Sequence, residues 1–195
     1  ADHMLYFLEN HDEQRIASQF FAGDAFKAVP AFVVSTLFRS CPYMHYFAQE
    51  YGEKGMDKEG FSGCDGRTTI FDYWSPLSLR KLYALGADGK PRKGALGTAK
   101  AEELTLTDSE RELYEYYRQV VRLRESESAL VFGLFYDLEY ANLDHHQQFD
   151  PTRHYAFLRR SEDQLLLVVC NFSDETAEMG VCIPEHAFTY LSIPE

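Results

Sequence analysis

The chain has 195 residues, of which 45% are hydrophobic and 15% aromatic, and it carries a formal net charge of −12 with a pI near 5.0. This surplus of carboxylates argues against a nucleic acid or an anionic membrane surface as the partner, because neither is attracted to a negatively charged protein. The sequence also predicts no membrane-spanning helix, since no stretch is apolar over the roughly 18 residues that one needs.

The first predicted element is a buried strand over residues 4–8, which are apolar or aromatic. It runs directly into five polar residues, Glu9, Asn10, His11, Asp12 and Glu13. Barrels and open α/β sheets keep their active sites at the carboxyl ends of parallel strands, so this position favours catalytic or binding groups. The alternative is that Asn and Asp here only form a turn or cap a helix.

A β-α-β unit is predicted over residues 4–48. A short helical turn over residues 13–21 ends at Gly23, and Asp24 can then cap a mostly apolar helix over residues 25–37. Residues 42–48 are aromatic and begin with proline, which favours a second strand, and Gln49 and Glu50 follow it at once. A crossover of this length makes the two strands parallel, so both polar clusters should lie at the same edge.

A long loop over residues 52–75 follows, and loops of this length are usually functional or disordered. Its last part contains Arg67 and the single tryptophan, Trp74, beside other aromatic rings, a combination that suits a sugar or another flat ligand. The alternative is that these rings only pack the loop onto the domain.

The remaining chain predicts helices and then strands. Residues 76–85 should form a helix, residues 86–97 a surface loop or hairpin, and residues 109–127 a long amphipathic helix capped at Thr107. After residue 128 the sequence consists of short alternating runs separated by turns, which predict an antiparallel meander or small sandwich. The predicted strands are residues 131–136, 154–159, 165–172, 176–183 and 187–193.

Several of these segments resemble the α-amylase family of glycoside hydrolases. Residues 7–12, Phe-Leu-Glu-Asn-His-Asp, resemble that family's signature at the end of the seventh barrel strand, and residues 43–53 resemble its eighth-strand region. Residues 65–68, Asp-Gly-Arg-Thr, and Trp74 are similar to the substrate-side loop that follows, while residues 118–132 and 165–172 resemble the last barrel helix and the all-β domain behind it. One departure is Ser-Cys-Pro at residues 40–42, where many relatives carry Pro-Gly.

The resemblance implies an α/β plus all-β fold, a partial (β/α)8 TIM-barrel segment over residues 1–128 followed by a C-terminal antiparallel β-sandwich domain over residues 129–195. A complete barrel takes about 250 residues. The family's nucleophile and general acid come from the fourth and fifth strands, so the chain is expected to be the C-terminal part of such an enzyme and to be inactive alone. Two strands without neighbours also leave open edges, which predict self-association.

The resemblance further implies a substrate and a set of site residues. The substrate is an α-glucan such as starch or a maltooligosaccharide, and no cofactor is implied. Asp12 would be the third carboxylate of the site, which hydrogen-bonds sugar hydroxyls in the oxocarbenium-like transition state. Arg15 would orient Asp12 or be a plain surface residue. The implied substrate-binding residues are Asn10, His11, Glu50, Arg67 and Trp74.

The sequence leaves three alternatives to this enzyme to weigh. A non-catalytic carbohydrate-binding or scaffold module could reuse the fold without the chemistry. A metal site could use His11, Asp12, His45 or the adjacent pair of histidines at 145 and 146, but neither the histidines nor the four cysteines show a recognised ligand spacing. A Ser/His/Asp hydrolase is disfavoured because no Gly-x-Ser-x-Gly motif occurs.

Overall fold

A computed structural model describes residues 3–55, 65–70, 76–84, 105–144 and 146–194. Trp74, Cys64, His145 and the predicted loop over residues 86–97 lie outside the described residues. The chain divides into two compact units: unit 1 comprises Ala1–Tyr6, Pro30–Tyr43 and Val120–Glu195, and unit 2 comprises Phe7–Val29 and Met44–Gln119. The predicted division into residues 1–128 and 129–195 stays a prediction.

The described residues form five α-helices and three strands in the following order. They are α1 (Val29–Leu37), α2 (Leu77–Ala84), α3 (Asp108–Ser126), α4 (Ser128–Val131), β1 (Leu134–Asp137), β2 (His154–Arg160), β3 (Leu165–Asn171) and α5 (Glu185–Tyr190). Short 3-10 turns occupy Ala25–Ala28, Gln49–Tyr51, Glu139–Ala141 and His146–Gln148. None of the described helices is long and apolar enough to cross a membrane.

The predicted helices are confirmed where their caps are local. Asp24 caps the turn that leads into α1, its side chain accepting the N–H of Phe26 at 2.9 Å. Thr107 and Glu110 form a capping box at the start of α3, because the Thr107 hydroxyl accepts the Glu110 N–H at 3.2 Å while the Glu110 carboxylate accepts the Thr107 N–H at 2.7 Å. The predicted helical turn over residues 13–21 is instead a series of turns that ends at Gly23, whose φ is +70°.

The two segments predicted as parallel strands meet at a single parallel bridge between Tyr6 and Tyr43. The N–H of Tyr6 donates to the carbonyl of Pro42 at 3.0 Å. The prediction that residues 4–8 are buried is wrong for this structure, since Met4 and Leu5 are 55% and 50% exposed. A pair of strands without further neighbours is marginal, which accounts for pairing that does not extend beyond the bridge.

Unit 1 is built on an antiparallel sheet with the strand order β1-β2-β3. These strands confirm the predicted strands at 131–136, 154–159 and 165–172 in kind and order, although the first begins only at Leu134, since Val131 ends α4. One face packs on a core that includes Tyr136, Leu158 and Leu191. On the other face the Phe38 ring lies 4.3 Å from Phe135 and 6.1 Å from Phe157, centroid to centroid.

The last two predicted strands are wrong. Residues 176–183 carry no strand, and the segment predicted as a strand at 187–193 is largely helix α5. Pro184 precedes this helix, and Ala187 and Leu191, four residues apart, are 0% and 2% exposed. A single buried face with helical spacing therefore decided the structure of this segment. The described part of the chain holds one three-stranded sheet, and the proposed sandwich stays a prediction.

Candidate functional site

The polar segment after residue 8 is organised by an Asn10 turn. The side-chain oxygen of Asn10 accepts the N–H groups of Asp12 and Glu13 at 2.8 and 3.0 Å. The side chains of His11 and Asp12 are 51% and 75% exposed, and His11 Nε2 lies 3.5 Å from an Asp12 oxygen. Asn10 thus has the turn-forming role that was the alternative interpretation, while the Asp12 carboxylate is open to a ligand.

Arg15 is fully buried, so the expectation of a plain surface residue is wrong, while its orienting of Asp12 stays a prediction. Its Nη1 donates to Glu9 Oε2 at 2.8 Å, and Glu9 is itself only 2% exposed. Because two charges taken out of water must be compensated by each other and by further hydrogen bonds, this pair has to be assembled accurately.

The other donors of Arg15 reach two distant segments of unit 2. Nη2 donates to the carbonyl of Phe47 at 2.9 Å, and Nε donates to the Thr68 hydroxyl at 3.0 Å. The guanidinium also lies 4.3 Å from the centroid of the Tyr46 ring, whose hydroxyl donates to the Thr68 carbonyl at 2.5 Å. We call Glu9, Arg15, Tyr46, Phe47 and Thr68 the arginine node. It joins the segment after residue 8, the segment after Tyr43 and the 65–70 loop.

Backbone contacts complete the arginine node. The second oxygen of Glu9 accepts the N–H of Ile16 at 2.7 Å, and the N–H of Arg15 donates to the carbonyl of Gly66 at 2.8 Å. Gly66 has a φ of +78°, and a Cβ there would lie 1.9 Å from the Ser18 hydroxyl oxygen. Glycine is therefore required at this position of the Asp-Gly-Arg-Thr sequence.

Glu50 and Arg67, two of the predicted substrate-binding residues, have partners within the chain. Glu50 lies in the 3-10 turn after Ala48, and its Oε2 is 2.7 Å from His45 Nε2. Arg67 Nε is 3.2 Å from an oxygen of Asp65. Both pairs are partly exposed, so a ligand hydroxyl could compete for either carboxylate.

The tyrosine next to Glu50 has an altered ionisation. Burial, and then the charges of Glu50 and other nearby groups, raise the pKa of Tyr51 to about 12. Its ring stacks on that of Tyr114 with the centroids 5.1 Å apart. The raised pKa therefore extends the protonated range of the Tyr51 hydroxyl further into alkali.

The predicted site residues are distributed over the segments that the arginine node joins. Asn10, His11 and Asp12 follow Glu9, Glu50 follows Phe47, and Arg67 precedes Thr68. Trp74 lies outside the described residues. The sequence analysis named Glu9, Arg15 and the motif that contains Thr68, but it did not predict that the three side chains contact one another. The available signal was an acid and a base six residues apart directly after an apolar run.

A separate cleft of about 620 Å³ lies in unit 2. Two of its carboxylates have partners within the cleft: Lys81 Nζ donates to both oxygens of Glu110 at 2.7 and 2.9 Å, and the Ser78 hydroxyl donates to Glu53 at 2.6 Å. Asn10, His11, Asp12, Glu50 and Arg67 are not among its lining residues. The cleft is thus distinct from the predicted site.

In the part of the chain that the structure describes, no group of three or more His, Cys, Asp or Glu residues could hold a metal ion. Comparison with known proteins adds no assignment, since neither a scan against protein-family models nor a search of curated proteins gives a match for this chain.

Proposed function

We propose that the chain is the C-terminal part of an α-amylase-like retaining glycoside hydrolase that acts on α-glucans such as starch and maltooligosaccharides. It would supply the last two β/α units of a (β/α)8 barrel and the antiparallel β domain that follows. The arginine node is the observation that supports this most directly. Arg15 ties together the segments whose residues resemble the family's seventh-strand end, eighth-strand end and following loop.

Asp12 would act on the sugar ring as the third carboxylate of the site. As the ring flattens towards an oxocarbenium ion, its hydroxyls become better donors, and a carboxylate that accepts from them lowers the barrier. Asp12 is 75% exposed on a turn held by Asn10, so its oxygens can meet a ligand. His11 follows Asn10 on the same turn and would hydrogen-bond the same ring.

Retaining hydrolysis also needs a nucleophile and a general acid about 5 Å apart. By the resemblance, both belong to earlier strands that are not in this chain, and the chain alone should release no reducing ends from maltooligosaccharides. A longer protein that begins further upstream should carry an Asp and a Glu at the ends of two earlier strands and should be active.

The test is an assay of that longer protein with Asp12→Asn. We expect kcat/KM on maltooligosaccharides to fall by at least about a hundredfold, since the lost hydrogen bonds act in the transition state. Glu13→Gln, which changes an exposed carboxylate next to Asp12, should leave kcat/KM unchanged. An inactive longer protein would refute the proposed function. Turnover by the present chain that is lost on Asp12→Asn would refute the prediction that this chain is inactive by itself.

A non-catalytic carbohydrate-binding or scaffold module of the same fold is a second candidate. The exposure of Asp12 and His11 favours it, because a catalytic carboxylate is usually enclosed with its substrate. This candidate expects maltooligosaccharide binding that survives Asp12→Asn and weakens on Trp74→Ala. The enzyme proposal expects instead that Asp12→Asn weakens the interaction with maltooligosaccharides.

A further inference from the structure

Unit 1 carries a shallow groove of about 290 Å³ that is lined almost entirely by rings. We call it the aromatic groove. Its lining residues are Phe135, Tyr136, Asp137, Tyr140, His186 and Tyr190. It lies between β1, the 3-10 turn after it and α5, and it shares no residue with the arginine node.

The rings of the aromatic groove are held in fixed positions around Tyr136. The Tyr136 hydroxyl is hydrogen-bonded to the Tyr140 hydroxyl and lies 3.0 Å from His186 Nδ1. Its ring centroid lies 5.7 Å from that of Tyr190. Burial, and then the hydrogen bond with Tyr140, raise the pKa of Tyr136 to about 12. A ligand would therefore meet rings that are already ordered.

The outer rings of the aromatic groove face solvent. Tyr140 is 55% and Tyr190 is 51% exposed, whereas Tyr136 beneath them is 6% exposed. Such a group of exposed rings is a common mark of a binding surface. Tyrosine provides an apolar face and a polar hydroxyl on one side chain, so the ligand should be apolar on one face and rich in hydrogen-bonding groups at its edge.

The charge of the aromatic groove limits the chemical classes of ligand that it could bind. Asp137 contributes a carboxylate to the lining of the groove. It is an exposed residue, and its Oδ1 accepts the N–H of Glu139 at 2.9 Å. Together with the net charge of −12, this disfavours phosphates, acidic sugars and nucleic acids. A carboxylate is instead a strong acceptor for neutral hydroxyl groups.

The arrangement of the rings argues against an organic cation. Tyr136, His186 and Tyr190 have pairwise centroid distances of 5.7 to 6.1 Å. Rings this close pack against one another as a platform and leave no space for an ammonium group between them, as an aromatic cage would.

We propose that the aromatic groove is a second saccharide-binding site, which takes one or two neutral pyranose rings of the α-glucan class. The C–H face of the sugar would stack on Tyr140 and Tyr190, and its hydroxyls would donate to Asp137. The volume of the groove, about 290 Å³, lies just below the roughly 300–1,000 Å³ range of ligand sites, which suits a short oligosaccharide. The choice of an α-glucan rests on the proposed function, whereas the choice of a neutral sugar rests on the groove itself.

The experiment is a titration of the chain with maltotriose, followed by NMR shifts of the His186 ring and by saturation transfer to the sugar. Tyr140→Ala and Tyr190→Ala should each weaken binding about threefold to tenfold through the loss of one stacking face. Tyr190→Phe, which keeps the ring, should bind as the unaltered chain does. Phe188→Ala is the matched control, because Phe188 is 41% exposed on the same helix and does not line the groove.

The outcomes separate this proposal from the proposed function. Binding that is lost in the Ala variants and kept in Asp12→Asn supports the groove, and binding of cellotriose in place of maltotriose supports the groove while contradicting an α-glucan specificity. No shift of His186 with either sugar would overturn the proposal. It would also be overturned by binding that is lost only in Asp12→Asn, which would favour the Asp12 site, or by a response to tetramethylammonium alone.

Discussion

Arg15 and Glu9 form a buried ion pair, with Arg15 Nη1 donating to Glu9 Oε2 at 2.8 Å and side-chain exposures of 0% and 3%. The pair lies between Asn10, which turns the chain, and the two segments that Arg15 binds through Phe47 and Thr68. The pair therefore holds together the segments that carry the proposed site residues, and in our proposal it does not contact the sugar. Arg15 is a positioning residue in that scheme.

Breaking this pair should strongly destabilise unit 2. Arg15→Met leaves the Glu9 carboxylate buried without its cation, and we expect the free energy of unfolding to fall by about 3–5 kcal/mol in urea denaturation. The double variant Glu9→Gln with Arg15→Met should recover part of this loss, because the isolated charge is gone. Arg67→Ala, which breaks the partly exposed pair with Asp65, should cost less than about 1 kcal/mol. Equal effects of Arg15→Met and Arg67→Ala would contradict this interpretation.

The features that sequence analysis could predict were those with local causes. Helix α1 was predicted from Asp24 and helix α3 from the Thr107–Glu110 capping box, and in each case the cap lies within four residues of the atoms it satisfies. The prediction of a strand at 187–193 was wrong because its short apolar run fits both the strand period and the helix period. Only the joint burial of Ala187 and Leu191 against the sheet selects the helix.

The arginine node could not be predicted because its contacts are distant in sequence. Arg15 lies 32 residues from Phe47 and 53 from Thr68, and no spacing rule connects a guanidinium with a carbonyl that far away. A motif indicates Asp12 through its neighbours in the chain. The residues that support the motif from below are visible only after folding.

The exposed apolar residues before Glu9 predict self-association. Met4, Leu5 and Phe7 are 55%, 50% and 43% exposed beside a single parallel bridge, so their apolar side chains are open to another copy. Light scattering at rising concentration should show dimers or larger species, and Leu5→Lys should reduce them. Leu123→Lys, at a 46% exposed position on α3, is the control and should not. A monomer at high concentration would count against the prediction.

Arg159 should be the most sensitive single residue of unit 1. It is fully buried and donates to the carbonyls of Leu37 and Phe38 at the end of α1, and also to Ser40, Leu130 and Gly133. Cations are favoured at a helix C-terminus. Burial, and then the neighbouring Arg124 and Arg39, lower the pKa of Arg159 to about 10, so it remains charged at neutral pH.

Arg159→Met should therefore lower the free energy of unfolding by about 3 kcal/mol, because several buried carbonyls lose their donor. Arg159→Lys should recover only part of this, since an ammonium cannot reproduce the planar fork of donors. The control is Arg153→Met, which removes a 56% exposed guanidinium whose nearest acidic oxygens are 3.7 Å away and should cost less than about 1 kcal/mol. If lysine at 159 matched arginine in urea denaturation, the fork geometry would not matter.

Cys170 predicts how stability changes in alkali. Burial in β3 raises the pKa of its thiol from 9.0 to about 11. The unfolded chain loses this proton near pH 9 while the folded chain keeps it, so the contribution to stability is complete below pH 9 and is lost as the pH rises to 11. We expect the free energy of unfolding to fall by roughly 1–2 kcal/mol over this range on account of Cys170.

Urea denaturation at several pH values, with a reductant present, measures this slope. Cys170→Ala should flatten it because the titrating group is gone, although the variant loses some stability at every pH through the smaller side chain. Val168→Ala is the matched control, since Val168 lies on the same strand two residues away and does not titrate. It should lower the whole curve and keep its slope. A Cys170→Ala curve parallel to that of the unaltered chain would show that the thiol ionises equally in the folded and unfolded states.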